Sequence, residues 1–437
     1  MRRLAAIFAG LGLVAAAGLY ACRGIVGAAT RAVDEAPYVS YTATDEAASY
    51  DFMHEEFRAR LGLGNNTKLV FGSSELYPAS TAGEAHPIAL FCGKKHGLDL
   101  MPVGRAYCAD LWHAIELGAF ADDVEATGDN RVVIMLSMQW FTVARTTSDD
   151  LGSSFSRGAY DAFMASGRFS DGLKQRVARS LSAYGIDTGA EGTALGRAVS
   201  TVEGWAQKGQ KALRLDLAFA GAAASPTLDG LAGKTDAEVN GGCADENTDA
   251  SADAADDTGA GSDAADGASA ASATAVSLDW DEVFSQARQE AASNASNNDL
   301  GYDQWDWNKG WYEKFLRAGT AWRPFDDGSL FSEDEFADFQ TLLDVCREAG
   351  IKPLVVVQAV KGASYDQTIY DADARAGYVA RVKQMALDAG ADVADFSTHD
   401  YDALFNRDEA HPSPLGSAYY SRCIYRWFTE GVVDCGE

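Results

Sequence analysis

The sequence predicts an α/β fold built on a parallel sheet. Short, uninterrupted apolar runs of strand length recur along it, and segments with apolar residues at helical spacing stand between them. Parallel strands require crossovers of that kind, and strands buried on both faces read as continuous rather than alternating apolar runs. Size agrees: 437 residues with 47% hydrophobic content suffice for a large core.

Met1-Arg2-Arg3 precedes an uncharged, Ala/Leu/Gly-rich stretch over 4–22, close to the roughly 20 residues that cross a bilayer. Arginine on its N-terminal side keeps that end in the cytoplasm and sends the rest of the chain outside. Residues 1–22 are therefore expected to be a single-pass membrane anchor with an extracellular body. The stretch is longer than a signal-peptide core, and Tyr20 is bulky for a processing site. A cleaved signal, or a lipoprotein signal ending at Cys22, is the alternative.

Residues 23–66 read as a membrane-proximal stalk and lead-in helix, with Tyr50, Met53, Phe57 and Leu61 at helical spacing. One catalytic domain then follows in two parts, 67–220 and 276–437. In the first, 68–71 and 131–136 read as strands, with a helix over 106–117 between them. In the second, a strand over 353–357 follows an amphipathic helix over 336–349, and a strand over 393–396 follows a helix over 376–389.

Between the two parts, residues 221–275 are almost entirely Ala, Asp, Ser and Gly, and 245–266 hold eight acidic residues and no basic one. Such a segment buries too little surface to offset chain entropy, so a disordered insertion is expected. No spaced calcium loop occurs in it. The segment that follows carries Tyr302, Trp305, Trp307, Trp311, Tyr312, Phe315 and Trp322. That density suits either an acceptor groove or interface, or the core of a lid.

The formal charge of −28 argues against nucleic acid, which is bound through clustered Lys and Arg. Six cysteines follow Cys22, and an extracellular body permits disulfides; Cys92 with Cys108 and Cys423 with Cys435 are close enough to be candidate pairs. No Cys/His spacing of a metal site occurs, and no metal or cofactor is expected.

The chemistry rests on two motifs. Gly72-Ser73-Ser74-Glu75 stands where the run Leu69-Val70-Phe71 stops, and Asp408-Glu409-Ala410-His411 brings a carboxylate and an imidazole three residues apart. A serine hydroxyl becomes a nucleophile when an imidazole takes its proton and a carboxylate orients that imidazole. Ser74 is the stronger candidate nucleophile, with Ser73 adjacent and Glu75 and Trp140 as supporting residues. By itself the first motif is also a common helix-capping turn; its conjunction with Asp408 and His411 favours acyl transfer.

Ser413-Pro414 reads as an N-cap followed by proline at the first position of a helix continuing over 415–428. His411 would thus precede a helix N-terminus, whose dipole disfavours imidazolium. Oxyanion donors are needed too. The amides of Ser74 and Gly104 and the side chain of Gln139, which follows the strand over 131–136, are the candidates.

Ser73-Ser74-Glu75-Leu76, Gly104-Arg105-Ala106-Tyr107, Ser137-Met138-Gln139-Trp140-Phe141, Lys352-Pro353-Leu354 leading to Val360-Lys361-Gly362, and Asp408-x-x-His411 together resemble the DltD family, proteins of D-alanyl transfer to teichoic acid. The resemblance spans the chain apart from 221–275. It implies a three-layer α/β/α fold like that of the SGNH/GDSL hydrolases, with Ser74, His411 and Asp408 as catalytic triad and Gly104, with Gln139, at the oxyanion. As partners it implies the membrane O-acyltransferase DltB, fed from inside the cell by the D-alanyl carrier DltC, and a teichoic acid acceptor. His411-Pro412-Ser413-Pro414 and the acidic insertion depart from the usual family pattern. Two other functions compete: a secreted esterase acting on wall polysaccharide, with water as acceptor, and a non-enzymatic membrane scaffold.

Overall fold

The structure, a computed structural model, describes residues 50–62, 64–76, 83–91, 96–142, 151, 154–186, 188, 278–296, 298, 300–308, 310–319 and 322–436. The expected anchor over 1–22, most of the stalk, the insertion over 221–275 and Cys92 lie outside the described residues. Among the described residues, no helix is long and apolar enough to cross a membrane.

Five strands make one sheet: β1 (Thr67–Phe71), β2 (Asp99–Val103), β3 (Arg131–Leu136), β4 (Lys352–Val357) and β5 (Asp392–Asp395). Their order is β2-β1-β3-β4-β5 and every pairing is parallel. Successive side chains point to opposite faces, so the apolar runs feed two cores at once. Leu69, Phe71, Ile134, Leu136, Val355 and Val357 enter one. Val70, Val133, Met135, Leu354 and Val356 enter the other.

Helices cover both faces: α1 (Tyr50–Gly62), α2 (Asp110–Ala126), α3 (Asp171–Ala183), α4 (Trp280–Asn294), α5 (Glu333–Ala349), α6 (Ala372–Asp388) and α7 (Pro414–Glu430). The first core packs against α1, α2, α3, α5 and α6 through residues such as Phe57, Trp112, Val177, Phe339 and Tyr378. The second packs against α7 through Tyr420, Ile424 and Trp427, with Trp280 of α4 at its margin. The arrangement is three layers, helices on each side of a parallel sheet.

Strand β2 is absent from the sequence expectation because Asp99 and Pro102 interrupt its apolar run. Both are accommodated by position. β2 is an edge strand, where a missing N–H removes no necessary ladder bond. Asp99, fully buried, accepts from Thr67 Oγ1 at 2.7 Å and faces the Arg60 guanidinium at 3.5 Å. The helix expected over 106–117 instead begins at Asp110 and runs to Ala126. Gly104 (φ 131°) and Tyr107 (φ 74°) lie in the left-handed region that a helix does not pass through.

Cys423 and Cys435 are free thiols rather than a disulfide, and Cys108 is also free. Burial pushes the Cys423 and Cys108 thiols up to about 12. Of the aromatic segment, Tyr302 and Phe315 are buried while Trp305 is exposed, so it is partly core and partly surface.

Candidate active site

The chain leaves β1 toward β2 and returns on the other side of β1 as β3, which opens a crevice at the carboxyl ends of β1 and β3. Gly72-Ser73-Ser74 follows β1 there. A Cβ on Gly72 would collide with Glu75 Oε1, so the turn closes this tightly only with glycine. Fully buried His113 of α2 donates from Nε2 to the Gly72 carbonyl at 2.9 Å, and Gly72 N donates to Val103 O at 3.2 Å. The turn is thus held from two sides before Ser74 begins a short 3-10 helix, Ser74–Leu76.

The second motif is built by local hydrogen bonding. Asp408 Oδ1 accepts from the amides of Ala410 (2.9 Å) and His411 (2.7 Å), folding the loop back on itself. Asp408 Oδ2 is then 2.7 Å from His411 Nδ1. A carboxylate accepts, so the proton sits on Nδ1 and leaves Nε2 as the acceptor. Ser74 Oγ lies 2.8 Å from that nitrogen. Ser413 Oγ caps α7 by accepting from Leu415 N and Gly416 N, with Pro414 at its start, as the sequence indicates.

The adjacent serines are now distinct. Ser73 Oγ donates to Arg105 O at 3.2 Å and Ser73 N donates to Glu75 Oε1 at 2.6 Å, so Ser73 secures the turn and Ser74 faces the imidazole. Glu75 is buried, which raises its carboxyl to about 7 against the lowering pull of the Ser73 amide. Its main-chain oxygen accepts from His86 Nε2 at 2.9 Å.

Electrostatics correct one expectation. A place before a helix N-terminus favours a neutral His411, yet its pKa is raised above the ordinary histidine value. Burial lowers it, and the charge and hydrogen bond of Asp408 together outweigh that loss. Asp408 is itself held far below the usual carboxylate range: burial opposes ionisation, but His411, Arg407 and the local amides favour it.

The remaining expected residues are less directly engaged. Gly104 packs on the Gly72 carbonyl, beside the serine turn. Gln139 lies in the 3-10 helix Met138–Phe141 just beyond β3, its side chain next to the Tyr365 phenol. Trp140 is buried and its ring packs 5.2 Å from that of His113, so it supports the turn from beneath.

Sequence reasoning assigned no role to Lys361 or Glu409. Lys361 is buried. Its Nζ donates to Gly301 O (2.8 Å) and Ala403 O (3.3 Å), and its amide donates to Glu409 O (2.9 Å), tying three loops together behind Asp408. Burial lowers its pKa to about 8, against the pull of Asp408, Asp303 and Glu409. The available signal was a lysine directly after the run from Leu354 to Val360, which only Gln358 interrupts, since a buried cation needs a reason. Arg407 completes the surround, 3.3 Å from Asp306 and 4.0 Å from Asp408.

The chain belongs to the DltD family. A family model described as DltD protein matches residues 49–429. Protein DltD of Bacillus subtilis (strain 168) is 23% identical over 368 residues, covering 83% of each chain.

Proposed function

Because the chain belongs to the DltD family, we propose that it acts in teichoic acid D-alanylation, carrying the D-alanyl group as an ester on Ser74 and passing it to a polymer hydroxyl. One observation carries the serine mechanism: the hydrogen-bonded line from Ser74 Oγ through His411 to Asp408, at 2.8 and 2.7 Å.

In the first half-reaction, Ser74 Oγ attacks the carbonyl carbon of the D-alanyl donor while its proton passes to His411 Nε2. The donor's leaving atom departs with that proton, so an ester on Ser74 and a neutral imidazole remain. In the second, His411 takes the proton of a polymer hydroxyl and that oxygen attacks the ester carbonyl. Ser74 Oγ leaves and recovers its proton from His411. Amides at Ser74 and Gly104 and the Gln139 side chain are the proposed donors to the oxyanion of each step. The three-layer sheet with its serine after β1 supports an SGNH-like reading of the fold.

Residues 1–22 are proposed to hold the body at the outer membrane face, where the membrane O-acyltransferase DltB and the carrier system would deliver the D-alanyl group. Tethering raises the effective concentration of enzyme at a membrane-embedded donor.

The test is to expose the full-length protein to a D-alanyl thioester and locate the modification by peptide mass spectrometry. The D-alanyl group is expected on the peptide containing Ser74 and absent in Ser74→Ala. Transfer to added teichoic acid should outpace release to water; the reverse order would favour the esterase, and absence of any acyl-enzyme would favour the scaffold.

A further inference from the structure

The turn that carries Ser74 contains a buried carboxyl group for which the proposed mechanism has no use. Glu75 follows the serine directly and is only 7% exposed. Its Oε1 accepts from the Ser73 amide at 2.6 Å, and its own amide also donates to the carboxyl group. The group rests against the α-carbon of Gly72, where a Cβ would stand 2.4 Å from Oε1. Glu75 thus engages the amides on either side of Ser74 in the chain, and the Ser74 amide between them is a proposed oxyanion donor.

Glu75 is anchored from outside the turn as well. The Gln358 side chain, just past the carboxyl end of β4, hydrogen-bonds to its carboxyl group, and the Gln358 amide donates to Leu136 O of β3 at 3.1 Å. His86 holds its main-chain oxygen. His86 Nδ1 accepts from Ile88 N at 3.3 Å, so Nε2 carries the proton that it donates to Glu75 O at 2.9 Å. Burial lowers the His86 pKa to about 4, which keeps that ring neutral.

An apolar or amide side chain would fill this space more cheaply, because burying a carboxylate is costly. Burial raises the Glu75 carboxyl to about 7, and the Ser73 amide, its own amide, His411 and Gln358 draw it back toward ionisation. On the α7 side two titratable groups face it. His411, in the loop before α7, attracts its charge. Burial, with Asp400 and then Glu75, raises the pKa of the Tyr420 phenol of α7, so that group stays neutral. The carboxylate beside the oxyanion amide is therefore also an anion acting on the imidazolium that forms when Ser74 gives up its proton.

We infer that Glu75 is a positioning residue for the reaction at Ser74: its carboxylate holds the amides that flank the serine, so that the Ser74 amide meets the oxyanion while the hydroxyl meets His411, and its charge supports the imidazolium. The inference rests on the acyl-transfer reading of Ser74 and adds to it the group that arranges the nucleophile.

The test follows labelling of Ser74 by a fluorophosphonate across pH, in the full-length protein in detergent, for wild type, Glu75→Gln and Glu75→Ala. Intact mass gives the rate, and peptide mass spectrometry locates the label. The final labelled fraction counts folded sites, whereas the rate constant of that fraction reports their geometry, so misfolding and mispositioning separate. Glu75→Gln keeps an oxygen for the Ser73 amide but no charge. Its rate constant at the high-pH plateau should fall about 10-fold, and its pH midpoint should move down, because loss of the anion lowers the His411 pKa. Glu75→Ala loses the acceptor too and should fall about 100-fold or more, as when an oxyanion donor is lost. If Glu75→Ala does not accumulate, Glu75→Gln decides alone. A loss confined to the labelled fraction, a plateau rate constant equal to wild type, or a midpoint that stays in place in Glu75→Gln overturns the positioning role while Ser74 remains the nucleophile. Absence of label on Ser74 in the wild type overturns the reading on which it rests.

Discussion

A Cβ on Gly104 would collide with the carbonyl oxygen of Gly72, so the loop after β2 presses directly on the loop that presents Ser74. Gly104 also has φ 131°, a conformation other residues rarely adopt. Two independent constraints, space and backbone torsion, therefore meet at one glycine.

Gly104→Ala is expected to destabilise the protein by at least about 2 kcal/mol, because it adds torsional strain to a clash with backbone that has no rotamer by which to escape. The urea midpoint measures it. Labelling of Ser74 by a fluorophosphonate should fall as well, since the serine turn must shift. A midpoint unchanged from wild type would refute the close approach of the two loops.

Ser74→Ala and Ser73→Ala should separate cleanly. Loss of the Ser74 hydroxyl should reduce acyl transfer by about 10³-fold or more with little effect on stability. Ser73→Ala removes the hydrogen bond to Arg105 O and should cost about 1 kcal/mol of stability while preserving fluorophosphonate labelling. If the two variants exchange these phenotypes, the nucleophile is Ser73.

A general base acts only when unprotonated, and Asp408 raises the His411 pKa despite burial. The rate of Ser74 labelling should therefore climb with pH through a midpoint above that of an ordinary histidine. Asp408→Asn removes the carboxylate charge, so the midpoint should move down while the maximal rate drops. A midpoint that stays in place in Asp408→Asn would show that Asp408 does not set the imidazole's protonation.

Deleting residues 221–275 and joining the ends with a short Gly/Ser linker should leave Ser74 reactive and the urea midpoint close to wild type. The segment's composition lacks apolar anchors, and loop-closure entropy changes only slowly with length. An unfolded deletion product would show that the segment contributes to the core.

By itself the sequence determined whatever depends on a few neighbouring residues. β1, β3 and β4 are legible because a strand buried on both faces must be apolar throughout, and the start of α7 is legible because Ser413 and Pro414 act on the first helical turn. Ser74, Asp408 and His411 stood out as residue types that acyl transfer requires, at the end of a strand and just before a helix. Tertiary structure decided what depends on distant partners. Asp99 can begin β2 only because Arg60 and Thr67 reach it, and Ser73 is distinguished from Ser74 by distant partners, Arg105 O for the one and His411 for the other. The protonation of His411 follows from a competition between burial and Asp408 that spacing cannot weigh. Burial and electrostatic environment are sums over neighbours in space, and here the decisive pair, Ser74 and His411, is 337 residues apart along the chain.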